Sequence, residues 1–120
     1  MKKSKNIGIL TAMSKILIVD DEVMIRDLLK ELIESFYNIS VDVAEEGNQA
    51  LEMSKKNDYK LILTDVNMPN GMNGDVLVKK LIESGFSNKI CVMSGYCDNE
   101  FLDINNQIDC FFKKPLRTNE

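Results

Sequence analysis

Five short apolar runs alternate with segments of helical periodicity along this chain, and this alternation constrains the fold more than any other feature. The runs near residues 15, 60 and 89 are continuously apolar, as expected for strands buried on both faces of a sheet. Strands that alternate with helices favour βαβ units, so the pattern predicts one α/β domain with a parallel sheet covered on both faces. The predicted strands are 15–19, 39–44, 60–64, 89–93 and 109–113, and the predicted helices are 22–36, 47–56, 75–84 and 98–107.

The first predicted helix has an apolar face and a charged face. Apolar residues recur at helical spacing through residues 22–36, whereas the charged residues of the segment lie on the opposite side. We expect the apolar face to pack against the sheet. Its residues are Val23, Ile25, Leu28, Leu29, Leu32, Ile33 and Phe36.

Composition narrows the classes of function. The 120 residues are enough for one domain with one sizeable core. A formal net charge of -4 argues against direct binding to nucleic acid, and no apolar stretch is long enough to span a membrane. The sequence has no histidine, so any chemistry must use carboxylates, hydroxyls, lysine or a metal held by oxygen ligands.

Cysteine usage bears on the redox environment of the protein. Cys91, Cys97 and Cys110 form no CxxC pair, and an odd number of cysteines cannot pair completely within one chain. We therefore expect reduced thiols in a cytoplasmic protein, with Cys91 and Cys110 buried in core strands.

Polar residues suited to chemistry stand at the ends of the predicted strands. Asp20 and Asp21 follow the first strand and Asp65 follows the third. Ser94 follows the fourth strand and Lys114 the fifth. In doubly wound parallel sheets, binding sites form outside the carboxyl ends of the strands. With the strand order 2-1-3-4-5, one of the two common orders for this architecture, these side chains would meet at one edge.

The three aspartates at this edge would repel one another unless a cation lay between them. Oxygen ligands without histidine or cysteine suit Mg²⁺, which keeps several waters and so leaves room for phosphate oxygens. A nearby hydroxyl and lysine would complete the groups needed around a phosphoryl group. Asp65 is then the candidate nucleophile, since aspartyl phosphates form in other proteins.

Four short motifs resemble a known family in their order and approximate spacing. They are ILIVDDE, LILTDVNMP, VMSG and FFKKPL, and AEEGNQAL at residues 44–51 is also similar. The family is the receiver domain of two-component response regulators, and the resemblance covers roughly residues 14–116. It implies a flavodoxin-like (βα)5 fold. It also implies transfer of a phosphoryl group to Asp65 from a phosphohistidine on a sensor histidine kinase or phosphotransfer protein.

The resemblance implies a role for each residue at the strand ends. Asp21 would bind Mg²⁺ directly, Asp20 would bind it through water or orient the site, and Asn67 would contribute its backbone carbonyl. Ser94 would hydrogen-bond one phosphoryl oxygen, and Lys114, the second of two adjacent lysines, would form a charge-assisted bond to another.

A conformational switch is also implied by the resemblance. Ser94 would move toward the phosphoryl group, and Phe111 would fill the space behind it. The change would alter the face formed by the fourth helix and the fifth strand. An output domain or downstream effector outside this sequence would then bind one state better than the other.

The chain departs from the family pattern in the loop after Asp65, in the stretch from Ser94 to Lys114, which looks about two residues short, and at the C-terminal end. We interpret residues 1–13 as an N-terminal extension or leader and residues 14–120 as the receiver domain. The loop after the acceptor is one residue longer than usual, near Asn70 and Gly71. Only five residues follow Pro115, where the family has a full fifth helix, so we expect that helix to be largely missing. An open flank on the fifth strand would favour reduced stability or association with a partner or a second copy, as in a homodimer.

Three other functions compete with this interpretation. The main alternative is a docking module that has the same fold and works without phosphorylation. A Mg²⁺-dependent phosphatase with an aspartyl nucleophile typically needs a second acid two residues after Asp65, where Asn67 stands. A flavodoxin-like cofactor carrier needs a phosphate loop rich in glycine, serine or threonine where Asp20, Asp21 and Glu22 would repel phosphate. We therefore expect no enzyme activity beyond the protein's own phosphorylation and dephosphorylation.

Overall fold

Strands and helices alternate along residues 14–68, 71–94 and 107–113, the parts of the chain described by a computed structural model. The predicted elements in these ranges are all found, and no boundary differs by more than one residue. The predicted helix 98–107 lies outside the described residues except for its last position. No helix in the described ranges is long and apolar enough to cross a membrane. The elements are β1 (Lys15–Val19), α1 (Val23–Tyr37), β2 (Ser40–Ala44), α2 (Gly47–Lys56), β3 (Tyr59–Asp65), α3 (Gly74–Glu83), β4 (Lys89–Ser94) and β5 (Cys110–Lys113).

The five strands form one parallel sheet in the order β2-β1-β3-β4-β5, which confirms the predicted topology. Val19 at the end of β1 pairs with Thr64. Asp65, the last residue of β3, pairs with Met93, and β4 continues by one residue to Ser94. The carboxyl ends of the three central strands are therefore level, so the residues that end or follow them share one edge of the sheet.

Apolar side chains form one cluster on each face of the sheet. One cluster lies beneath α2 and α3, and the other lies beneath α1. Helices thus cover both faces, as the alternating pattern predicts. The first cluster includes Leu17, Val19, Ala50, Ile62, Leu77, Val78, Leu81, Ile90 and Val92, and the second includes Ile16, Ile18, Ile39, Val41, Leu63, Cys91 and Met93.

Helix α1 buries a narrower face than its sequence predicts. It packs on β1 and β2 through the partly buried Leu29 and Ile33, and Ile25 is its one buried residue. The other apolar residues of this helix lie exposed. Val23, Leu28, Leu32 and Phe36 belong to the predicted apolar face, and each is more than one-third exposed. The exposed fractions are 53% for Val23, 79% for Met24, 36% for Leu28, 41% for Leu32 and 73% for Phe36.

Cys91 on β4 and Cys110 on β5 are joined by a disulfide, which corrects the prediction of reduced thiols. The two residues are register partners on neighbouring parallel strands. Their Cα atoms lie 4.6 Å apart, within the usual range for bridged cysteines. The bridge joins residues 19 apart in sequence, which only the pairing of β4 with β5 brings together. Cys97 lies outside the described residues.

Ionisation of Tyr59, at the start of β3, makes the stability of the fold depend on pH. Its side chain is fully buried, and its hydroxyl donates a 2.6 Å hydrogen bond to Asp42 Oδ2. Burial, together with the hydrogen bond and the charge of Asp42, raises the pKa of Tyr59 well above its ordinary value. The unfolded chain therefore loses this proton first. The stability that Tyr59 contributes is present below about pH 10 and is lost as the pH rises further.

We expect the free energy of unfolding of the wild type to fall more steeply between about pH 9 and 11 than that of Tyr59→Phe. Urea denaturation across this range measures the difference. Tyr37 is 65% exposed, so Tyr37→Phe is the matched control and should keep the wild-type slope. Parallel pH profiles for the wild type and Tyr59→Phe would contradict this assignment.

Candidate functional site

Asp20, directly after β1, is held in place by three contacts. Its side chain is fully buried, and its backbone N–H donates to the Ala44 carbonyl at 3.1 Å. Its own carbonyl accepts a hydrogen bond from the Arg26 guanidinium at 2.8 Å. Its Oδ1 accepts from the backbone N–H of Glu22, the residue before α1, at 2.9 Å. Backbone and carboxylate are thus fixed where strand turns into helix.

Asp65 ends β3 with its carboxyl group at the same edge. The residue is 2% exposed, and its Oδ1 accepts a 3.3 Å hydrogen bond from the backbone N–H of Asn67. Val66 continues the sheet by one hydrogen bond, donating to the Met93 carbonyl at 2.9 Å. Asn67 itself is exposed and lies next to the Asp65 carboxylate through this turn. A rigid, buried strand therefore determines the position of Asp65, and only its end faces the site.

The carboxylates of Asp20, Asp21 and Asp65 converge at this edge. One oxygen from each lies within 4.8 Å of the others. Asp20 and Asp65 are buried and Asp21 is partly exposed, so water screens their mutual repulsion only in part. Two oxygens bound to one Mg²⁺ lie up to about 4 Å apart, because each Mg–O distance is about 2.1 Å. The donor chemistry therefore suits a small divalent cation, and a small closing movement of the side chains would bring three oxygens up to 4.8 Å apart within this limit.

The loop from β3 to α3 passes against the backbone of Asp65. Gly74, the first residue of α3, donates a 2.7 Å hydrogen bond to the Val66 carbonyl. A Cβ at Gly74 would overlap the Asp65 carbonyl oxygen and would lie 2.8 Å from Val66 Cα, so only glycine allows this approach. Asn73 Oδ1 accepts from the Met68 N–H at 3.0 Å, which ties the two ends of the loop together. The extra loop residue near Asn70 lies in a part of the chain that the structure does not describe.

Ser94 and Phe111 lie on the same face of the sheet. Ser94 ends β4, is fully buried, and has Lys113 of β5 as its register partner. Phe111 is the register partner of Val92, which points to the same side as Ser94 because side chains alternate along a strand. Phe111 is partly buried and packs against the cluster beneath α2 and α3. Lys114 follows β5 but lies outside the described residues.

The structure thus brings most of the predicted site residues to one edge, and it adds positioning residues that sequence reasoning missed. Arg26 holds the Asp20 carbonyl, and Asn73 spans the loop after Asp65. No pattern in the sequence marks either of them, because each acts through a backbone group of a residue five or six positions away. The contact of Gly74 with the Asp65 backbone likewise has no local signature in the sequence.

A parallel 2-1-3-4-5 sheet with converging acids at its carboxyl edge defines a flavodoxin-like α/β protein with an acidic site suited to a divalent cation. Comparison with known families identifies it further. The chain belongs to the response regulator receiver domain family, whose model matches residues 16–120. Receiver domains generally bind Mg²⁺ and receive phosphate from histidine kinases, and they are not classical enzymes.

Individual relatives agree with this family. The chain is 42% identical over 80 residues to the nitrate/nitrite response regulator protein NarL of Escherichia coli, covering 66% of this chain and 37% of NarL. It is 30% identical over 105 residues to the chemotaxis protein CheY of Halobacterium salinarum, covering 86% of each. The chain thus spans less than half the length of NarL but most of CheY.

Solved structures support the same fold. The response regulator protein TrrA of Thermotoga maritima, solved in complex with Mg²⁺-BeF, superposes with a TM-score of 0.77 at 28% identity. The superposition covers 87% of this chain and 89% of TrrA. Vibrio cholerae chemotaxis protein CheY4 gives the same TM-score at 26% identity, covering 87% of this chain and 88% of CheY4.

Proposed function

We propose that this protein is a phospho-accepting receiver in which Asp65 takes a phosphoryl group from a phosphohistidine on a sensor histidine kinase or phosphotransfer protein. The observation that carries the proposal is the convergence of Asp20, Asp21 and Asp65 at the carboxyl edge of the sheet. Carboxylates with this spacing are costly without a cation and suit phosphoryl transfer with one.

The cation proposed for this cluster is Mg²⁺, held by the carboxylates of Asp20, Asp21 and Asp65 and by the backbone carbonyl of Asn67. When bound, it neutralises charge on the incoming phosphoryl oxygens. The chain's own residues prepare the site before any ligand arrives. Arg26 and the turn at Glu22 fix the orientation of Asp20, and β3 fixes Asp65.

In the proposed transfer, a carboxylate oxygen of Asp65 attacks phosphorus. The phosphorus–nitrogen bond of the phosphohistidine breaks, and its electron pair returns to the imidazole. Ser94 would donate a hydrogen bond to one phosphoryl oxygen, and Lys114 would pair with another. Because Ser94 ends the strand next to β3, its hydroxyl is well situated for this contact.

The proposed output is a change in the face formed by the fourth helix and β5. Movement of Ser94 toward the phosphoryl group would leave space on its side of the sheet, and Phe111 lies on that same side. A partner that binds only one of the two arrangements would read the state of Asp65. That partner would be an output domain, a downstream effector or a second copy in a homodimer.

The cellular location and the range of reactions of the protein follow from its proposed role. The protein would act in the cytoplasm, and it would catalyse only its own phosphorylation and dephosphorylation. Neither nucleic acid nor a membrane would be a direct partner, in keeping with the net charge of -4.

Incubation with acetyl phosphate, followed by intact-mass analysis, tests the proposed function. We expect one added phosphoryl group in the presence of Mg²⁺ and none when the metal is chelated. An absence of label in both conditions would favour the phosphorylation-independent docking module. Steady turnover of unrelated phosphoesters would instead favour a phosphatase.

A further inference from the structure

Strand β5 is the edge strand of the sheet and pairs with β4 along all four of its residues. It contains four residues and pairs only with β4 in the observed strand order. Two hydrogen bonds join the residues where the strands begin: the Ile90 N–H donates to Asp109 Oδ2 at 2.8 Å, and the Asp109 N–H donates to the Ile90 carbonyl at 2.7 Å. The disulfide between Cys91 and Cys110 adds the covalent connection between the two strands.

The two cysteine residues of this disulfide differ in their exposure to solvent. Cys91 is 3% exposed and belongs to the cluster beneath α1, whereas Cys110 is only partly buried. A reagent from solution would therefore meet the Cys110 sulfur first. Exposed disulfides are the labile ones in proteins, and disulfides in the cytoplasm are usually transient.

We propose that Cys91 and Cys110 form a reversible thiol–disulfide site that cross-links β5 to β4 when oxidised and leaves the two strands joined by backbone pairing alone when reduced. Its reaction partners would be small or protein-borne disulfides as oxidants and dithiols as reductants. The expectation of reversibility draws on the cytoplasmic location under the proposed function. The pairing of the two cysteines does not depend on phosphorylation.

Oxidation would proceed by two thiol–disulfide exchanges. The Cys110 thiolate attacks one sulfur of the oxidant, the sulfur–sulfur bond of the oxidant breaks, and one thiolate leaves. The Cys91 thiolate then attacks the Cys110 sulfur and expels the second thiolate. Two cysteine thiols and one disulfide thus give one protein disulfide and two small thiols, with the protons passing to the released thiolates.

The bridge is next to the proposed switch residue. Cys110 directly precedes Phe111, and the two side chains point to opposite faces of the sheet. The redox state of the bridge would therefore act on the backbone of the strand that carries Phe111.

Thiol labelling of the folded full-length chain tests the redox site. After treatment with glutathione disulfide, Cys91 and Cys110 should resist N-ethylmaleimide, as found by peptide mapping. After dithiothreitol they should both be labelled, and renewed oxidation should protect them again. Labelling of both cysteines after oxidation, or protection that persists in dithiothreitol without denaturant, would overturn the proposal.

Hydrogen exchange measures the attachment of β5. Backbone amides of residues 110–113 should exchange at least about tenfold faster in the reduced protein, whereas those of β1 should change little. Cys110→Ala should exchange at the fast rate under both conditions, and Cys97→Ala should behave as the wild type. A redox response that persists in Cys110→Ala would contradict the assignment. Acetyl phosphate labelling is scored separately, so failure of the redox site and failure of the proposed function give different results.

Discussion

Asp65→Asn should abolish incorporation of a phosphoryl group from acetyl phosphate while the protein stays folded. Asparagine has the same shape and keeps an oxygen that can accept the hydrogen bond from the Asn67 N–H. It lacks the anionic oxygen that attacks phosphorus, so the loss should be complete rather than partial. The measurement is intact mass after incubation with Mg²⁺, with urea denaturation to verify folding.

Asp58→Asn is the matched control for this prediction. Asp58 precedes β3, at the opposite end of the strand from Asp65, and its carboxylate is exposed and paired with Lys60 at 3.4 Å. The same chemical change there should leave the added mass unaltered. If Asp65→Asn were still labelled to the wild-type level, the acceptor would be a different residue and the proposed function would lose its central assignment.

Asp65→Asn removes one negative charge and should also reduce the repulsion among the carboxylates of the site. In the absence of metal, Asp65→Asn should therefore be as stable as the wild type or more stable. This distinguishes a site built for a cation from a structural acid, since replacing a structural acid would destabilise the fold.

Gly74→Ala should destabilise the protein strongly, although alanine is usually the better helix residue. At an ordinary helix position the change would stabilise by up to about 1 kcal/mol. Here the new Cβ would overlap the Asp65 carbonyl oxygen and crowd Val66 Cα, and backbone atoms cannot rotate away as a side chain can. Overpacking costs about 1–3 kcal/mol even where side chains can give way, and the contacts here are with backbone atoms, so the steric term determines the sign.

The prediction for Gly74 has a second measurable part. Moving β3 and α3 apart would displace Asp65 itself, so Gly74→Ala should also lower the rate of labelling by acetyl phosphate. Gly71→Ala is the control, because a Cβ there would meet only the Glu46 side chain, at 3.5 Å, an ordinary contact distance. Equal urea midpoints for the two variants would show that the close approach at Gly74 is not required.

Much of the fold follows from local sequence patterns. Continuously apolar runs such as KILIV and KLILT predict β1 and β3, because only strands buried on both faces need no polar side. The strand order was chosen from two common alternatives, and the structure confirms it. The acid cluster followed from the same reasoning, since the carboxyl ends of neighbouring parallel strands must meet at one edge.

Other features could not be predicted because they depend on how far one element reaches over another. The periodicity of α1 places Leu28 and Phe36 on its apolar face, but it does not show how much of that face the sheet covers. The prediction of reduced thiols likewise rested on cysteine count and spacing. The register of β4 against β5 makes Cys91 and Cys110 neighbours across the strands.

By itself, the sequence determined which segments form strands and helices and which acids end the strands, because polarity patterns act over a few residues. Only the tertiary structure revealed the disulfide between Cys91 and Cys110 and the close approach of Gly74 to Asp65. It alone also showed the exposed apolar residues of α1. These features depend on ångström-scale distances between residues that are far apart in the chain. Such distances are set when the sheet and helices pack as a whole.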